Sequence, residues 1–156
     1  MMVAALLVVW TASAVQHPVA DSATHARVTA VLHNVQDSLD RVRGAAYNFR
    51  TDLGGASPVV IFTRAQRMHA SCVGAEGALV RLDSALTASY PARASTDLRR
   101  ESHVLRSALT ECGRDYDTTA RWPQRADSVR AWAPYRLRRL DEAMRRFARA
   151  AVLPRY

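Results

Sequence analysis

The two cysteines, Cys72 and Cys112, are the residues whose spacing points most directly to chemistry. A break between two helical patterns falls at residues 89–92, and Ala92 lies twenty residues from each cysteine. An antiparallel helix pair folded there brings both thiols side by side. In an exported protein an even cysteine count normally means disulfides. We therefore predict a structural disulfide, whose forty-residue loop contributes about 4 kcal/mol in the chain-entropy model.

A zinc site is the alternative for the same pair of cysteines. His69 lies three residues before Cys72, and Asp115 lies three residues after Cys112. Two thiolates, an imidazole and a carboxylate can satisfy tetrahedral zinc, and the hairpin brings all four to one level. The spacing is a weak signal, because His69 is one step off the apolar seam of its helix. We predict no metal and keep these four residues as the alternative.

Haem is a second cofactor that four-helix bundles can hold, through histidine and methionine ligands on facing helices. Covalent attachment is excluded because the chain has no Cys-x-x-Cys-His motif. Met68 or Met144 could pair with His33 or His103, but neither histidine lies on its helix seam. Methionine in such a seam usually fills the core. The prediction is therefore no cofactor, with a periplasmic metal- or haem-binding bundle as the alternative function.

Hydrolytic, phosphoryl-transfer and dinucleotide chemistry lack their sequence motifs. The chain has no His-Glu-x-x-His, Gly-x-Ser-x-Gly, Walker loop or dinucleotide fingerprint. The pattern places most acids on outer helix faces, where they are usually solvated or paired with arginine. These acids are Asp37, Asp40, Asp83, Glu101, Glu111 and Asp117. We expect a protein that is not an enzyme and has no small-molecule substrate.

Basic charge is concentrated near the C-terminus, and all 22 basic residues of the chain are arginine. Residues 121–155 hold ten arginines against three acids. An apolar seam surrounded by arginine is typical of a basic amphipathic helix that binds anionic lipid or an acidic protein surface. Nucleic acid would also be attracted, but an exported location argues against it. The candidate binding residues are Arg136, Arg138, Arg139, Arg145, Arg146 and Arg149, with Trp122, Trp132 and Tyr135 as aromatic anchors.

Four helical patterns must position these residues. Cap-type residues and proline predict starts near residues 21–22, at 57–58 and around 95–97. Gly54 and Gly55 should end the first helix by adopting left-handed backbone angles, and the third should end before Trp122 because proline follows. Pro134 predicts a kink in the fourth helix or a start at the proline itself.

Within each pattern, apolar residues recur at alternating spacings of four and three, which is typical of bundles and coiled coils. The first seam is Val28, Leu32, Val35, Leu39, Val42, Ala46, Phe49 and Leu53. The second is Ile61, Ala65, Met68, Cys72, Ala75, Leu79, Leu82 and Leu86. The third is Leu98, Ser102, Leu105, Leu109, Cys112 and Tyr116, and the fourth is Val129, Ala133, Leu137, Leu140, Met144, Phe147 and Ala151.

The N-terminal residues 1–19 resemble a secretory signal peptide or an uncleaved membrane anchor. Residues 1–15 are largely apolar, and Ala12-Ser13-Ala14 has the small-residue pattern of a cleavage site, although the usual positive charge is missing. Fifteen helical residues rise only about 22 Å, which is short of the ~30 Å hydrocarbon core. We expect export to the periplasm. The alternative is an exported protein that stays anchored to the membrane through residues 1–15.

The chain is therefore predicted to be all-α, with residues 20–156 forming one up-down-up-down four-helix bundle. One inter-helix disulfide and an apolar N-terminal segment complete the prediction. The expected function is a non-enzymatic, extracytoplasmic interaction or scaffold protein. Its expected partner is an anionic membrane surface or a membrane protein complex, for example a respiratory or photosynthetic one, and no nucleic acid.

Overall fold

The computed structural model describes residues 22–90, 95–122 and 126–151, and this part of the chain forms four α-helices. They are α1 (Ser22–Asp52), α2 (Pro58–Ser89), α3 (Thr96–Arg121) and α4 (Ala126–Ala150). The predicted signal peptide or anchor at residues 1–19 lies outside the described residues. None of the four helices combines the length and the hydropathy that a membrane-spanning helix requires.

The predicted helix boundaries agree with the structure. Helix α2 begins at Pro58 after Ser57, whose side chain makes no capping hydrogen bond. Proline itself favours this start, since an N–H at the first helical position has no partner within the helix and its absence there costs nothing. Helix α4 begins at Ala126 and runs through Pro134, so the predicted alternative of a start at the proline is wrong.

The end of α1 corrects one expectation. Gly54 and Gly55 do follow the helix, but no described glycine has a positive φ angle. The chain turns instead through hydrogen bonds that the amides of Gly55 and Ala56 donate to the Asp52 carbonyl, at 3.4 and 3.0 Å. The two glycines therefore end α1 without the left-handed conformation that we predicted.

The four predicted seams form the hydrophobic core. Every predicted seam residue is buried except Ala151, which is half-buried. Side chains spaced alternately by four and three residues lie along one stripe of an α-helix. Four such stripes pack against one another to form a single core. Apolar burial of this kind is the main force that holds four amphipathic helices together.

Contacts between sequential helices establish their antiparallel order. The His69 ring donates to the Gly113 carbonyl at 2.8 Å, and the Thr110 hydroxyl donates to Glu76 at 2.9 Å. Along α2 the residue number rises from the first contact to the second, while along α3 it falls. Helices α1, α2, α3 and α4 follow one another around the bundle, and α1 and α4 make the fewest contacts of the neighbouring pairs. The predicted up-down-up-down four-helix bundle is confirmed.

The predicted disulfide joins α2 to α3 between these two hydrogen bonds. Cys72 and Cys112 are bonded to each other, with their Cα atoms 6.1 Å apart. Both are buried. Gly113, next to Cys112, has the Val73 side chain and the His69 ring within 4 Å of where its Cβ would lie. The small residue therefore allows the close approach of the helices that the disulfide needs.

Candidate functional site

Three of the six candidate arginines turn toward α3 and tie it to α4. Arg136 bonds to Glu111 at 3.0 Å and pairs with Asp115 at 3.3 Å. Arg139 approaches the same Glu111 carboxylate at 3.8 Å, while Arg146 reaches Glu101. These contacts are possible because α3 carries five acids, which balance its five arginines. The three arginines are therefore partly neutralised within the bundle.

The pair formed by Glu101 and Arg146 is the most enclosed of these contacts. Arg146 Nε and Nη2 donate to the two Glu101 oxygens at 2.9 and 3.0 Å, and Arg100 Nε donates at 3.3 Å. Only 8% of the Glu101 side chain is exposed. The Arg146 hydrogen bonds hold the pKa of the Glu101 carboxyl below its usual range, although burial opposes them. Glu101 is therefore an exception to the prediction that most acids lie on outer helix faces.

This lowered pKa predicts a pH-dependent contribution to stability. A carboxyl whose pKa is lower in the folded state stabilises the fold above its unfolded pKa of about 4.3. That contribution is lost as the pH falls through the lower, folded value. Replacing Glu101 by Gln should therefore reduce the free energy of unfolding most at neutral pH, and the difference from the wild type should shrink below about pH 4.

Urea denaturation at a series of pH values measures this difference. The Asp127→Asn variant controls for the loss of one negative charge, because Asp127 is almost fully exposed and pairs only with Arg130 among the described residues. If the difference in free energy of unfolding between Glu101→Gln and the wild type stayed constant from neutral pH to pH 3, the role given to the Glu101 ion pair would be contradicted.

The other three candidate arginines face solvent on a single stripe of α4. Arg138, Arg145 and Arg149 follow Tyr135 at spacings that place all four on one side of the helix. All four are exposed, and Arg138 makes no ion pair with any described residue. Arg145 bonds to Asp141 at 3.1 Å, and Arg149 approaches Glu142 only to 3.9 Å. We call these four residues the outer basic stripe.

The aromatic residues at the start of α4 have different surroundings. Trp122 and Tyr135 are exposed, whereas Trp132 is half-buried with its ring 5.5 Å from that of Tyr116. Trp132 is therefore part of the packing between α3 and α4. Of the three predicted anchors, only Trp122 and Tyr135 remain accessible to a partner.

A groove of about 430 Å³ runs between α3 and α4. Its charged lining includes Glu111, Asp115, Arg136 and Arg146, which already pair across the groove or at its end. A ligand that entered it would have to displace these ion pairs. We therefore regard the groove as part of the packing interface between α3 and α4 and not as a ligand site.

The alternative zinc site is not formed in this structure. Both sulfurs are in the disulfide, the His69 ring donates to the Gly113 carbonyl, and Asp115 pairs with Arg136. No group of three or more histidine, cysteine or acidic side chains among the described residues is arranged to hold a metal ion.

The alternative haem ligands differ in their burial. Met68 and Met144 are buried in the core, where methionine serves as apolar filling. His33 and His103 are exposed. The two residue types therefore lie in different environments.

Sequence reasoning identified the six arginines but missed how they divide into two groups of three. The division depends on which acids of α3 lie opposite α4, and single-helix patterns do not contain that register. Comparisons with protein-family models, with curated proteins and with solved structures found no match to this chain.

Proposed function

We propose that the chain is a non-enzymatic, exported interaction or scaffold protein that binds an anionic membrane surface or a membrane protein complex through α4. The outer basic stripe carries the proposal. Helix α4 contains seven arginines against three acids, whereas α3 is balanced at five of each. Charge on α4 that α3 cannot neutralise is available to an external anionic partner.

The arrangement of the stripe supports binding to a surface. Arg138 and Arg149 are eleven residues apart in the helix, which corresponds to about 16 Å of rise. Cationic groups spread over such a length along one side can contact several lipid headgroups or acidic side chains together. Tyr135 adds an amphipathic ring of the kind that is common at membrane and protein interfaces. The disulfide supports export, because such bonds persist in oxidising compartments.

Charge reversal on the stripe tests the proposal. The variant Arg138→Glu/Arg149→Glu should bind native membranes, or vesicles containing anionic phospholipid, at least about thirtyfold less tightly at low salt, since each arginine contributes about 1 kcal/mol. Wild-type binding should itself weaken as salt rises, because exposed charges are screened over about a Debye length. Co-sedimentation at several salt concentrations gives both results.

The matched control reverses two exposed arginines on another helix. Arg27 and Arg50 lie on α1 and make no ion pair with any described residue, so Arg27→Glu/Arg50→Glu changes the net charge equally. It should bind more tightly than the stripe variant. Equal binding of the two variants would show that only net charge matters, and binding of the stripe variant at the wild-type level would remove α4 from the function.

A further inference from the structure

The side of α2 that faces away from the core carries a second heptad pattern. Nine positions recur at alternating spacings of four and three, as in the core seam, and none of them is charged. All are exposed except the half-buried Gly77. They are Val59, Thr63, Gln66, Ala70, Val73, Gly77, Val80, Ser84 and Thr87. We call them the outer α2 seam.

Exposed valines make this seam unusual for a solvated helix face. Val59, Val73 and Val80 are 71%, 48% and 46% exposed. Apolar side chains at heptad spacing are a common filling of helix–helix interfaces. Exposed apolar side chains that recur along one face of a helix commonly mark an interaction site.

The glycine in the middle of the seam has no steric explanation within the bundle. Glycine weakens a helix interior relative to alanine. A Cβ at Gly77 would meet only the flexible end of Arg81, at 3.7 Å, and one at the neighbouring Gly74 would meet nothing within 4 Å. Both positions could therefore hold alanine as far as this fold is concerned. Small residues at these positions do allow another helix to approach closely.

The charged residues on either side of the seam indicate which kind of helix can bind there. Glu76 immediately precedes Gly77 on one flank, and Arg81 immediately follows Val80 on the other. Neither makes an ion pair with another described residue, although Glu76 accepts a hydrogen bond from Thr110. In a parallel pair of heptad helices, the two flanks of one helix face the opposite flanks of the other, five residues further on. In an antiparallel pair, like flanks meet.

We propose that the outer α2 seam is the interface of a parallel homodimer. In register, Glu76 of one copy lies opposite Arg81 of the partner subunit, and the symmetry axis repeats this pair. An antiparallel dimer would instead bring like charges together at both flanks. The seam spans 29 residues, from Val59 to Thr87, which corresponds to about 43 Å of helix. The dimer does not depend on the function proposed for α4, and it leaves the outer basic stripe free.

Sedimentation equilibrium of the full chain tests the dimer. The wild type should show a reversible monomer–dimer equilibrium, and Gly77→Glu should weaken it at least tenfold by placing two carboxylates in the centre of the seam. The control is Gly44→Glu on α1, since Gly44 is likewise a mid-helix glycine, is exposed and has nothing within 4 Å of its Cβ position. It should leave the equilibrium unchanged, as should Arg138→Glu/Arg149→Glu.

A charge-swap experiment tests the parallel register. Glu76→Arg and Arg81→Glu should each weaken the homodimer at least tenfold, while an equimolar mixture of the two variants should form a heterodimer in which both pairs are restored. A wild type that stays monomeric up to about 0.1 mM would overturn the proposal, even if the seam were then found to bind another protein. So would a Gly77→Glu variant that dimerises like the wild type. Homodimers of either charge variant that match the wild type would overturn the parallel register.

Discussion

Replacing Cys72 and Cys112 together by alanine is expected to lower the free energy of unfolding by about 4 kcal/mol. The bond closes a loop with a sequence separation of 40 residues, so its removal lets the unfolded chain sample many more conformations. Native geometry should change little, because both side chains are buried beside small residues and the core around them is apolar. For a chain of this length the thermal midpoint should fall by about 8–16 °C.

Chemical denaturation with and without a reducing agent measures this effect and supplies its control. Reduced wild-type protein should lose about as much stability as the double variant does, since the chain has no other cysteine. The double variant itself should not respond to the reducing agent. If the double variant lost less than about 1 kcal/mol, cross-linking of α2 to α3 would not be a main source of stability.

The fold could be predicted from sequence because its determinants are local and periodic. The four-three spacing of apolar residues is set within each helix, and proline or cap residues mark the boundaries independently. Even the disulfide followed from local features, since a predicted break halfway between Cys72 and Cys112 indicates which residues of α2 and α3 meet. The exception at Gly54 and Gly55 has the same origin: the sequence indicates that the helix ends there, but several backbone conformations can end it.

The candidate site was only partly predictable because it depends on contacts between helices. The excess of arginine in α4 is a property of composition and was visible at once. The burial of Glu101 was not, since a carboxylate is rarely buried unless it is paired, and its partner Arg146 is 45 residues away. A signal did exist: Glu101 is next to the seam residue Ser102, at the edge of the stripe that packs against α4.

The spacing of the outer α2 seam is visible in the sequence, but a second seam on α2 was not predicted from it. One apolar seam per helix is enough to explain a four-helix bundle, so most of a second seam on the same helix has no role in the monomer, although Val73 lies close to Gly113 of α3. Only the structure shows that this face has no covering helix, because Val59, Val73 and Val80 remain exposed in it. Helix α2 then differs from α3 and α4, whose outer faces are charged. A bundle with one uncharged and one basic outer face can associate with itself and with an anionic partner on different sides.

Phe49→Ala is expected to lower the free energy of unfolding by about 3–5 kcal/mol. Phe49 on α1 is 1% exposed, and its ring meets that of Tyr116 on α3 at 4.8 Å and 84°. Tyr116 in turn packs edge-on against Trp132 on α4. Edge-to-face pairs contribute about 0.5–1.5 kcal/mol beyond their buried area. Truncating Phe49 therefore removes a large buried side chain and one contact of a cluster that links three helices.

The cluster matters because α1 and α4 make few contacts with each other, and it connects both of them to α3. Beside it, Arg130 on α4 donates to the Leu53 carbonyl at the end of α1, at 2.7 Å, so this end of the bundle joins the first helix to the last. Urea denaturation of Phe49→Ala measures the effect, and Tyr47→Ala is the matched control, because Tyr47 is two residues away on α1 and 68% exposed. The control should change stability by no more than about 0.5 kcal/mol. Equal losses in the two variants would mean that Phe49 is not packed in the core as the structure places it.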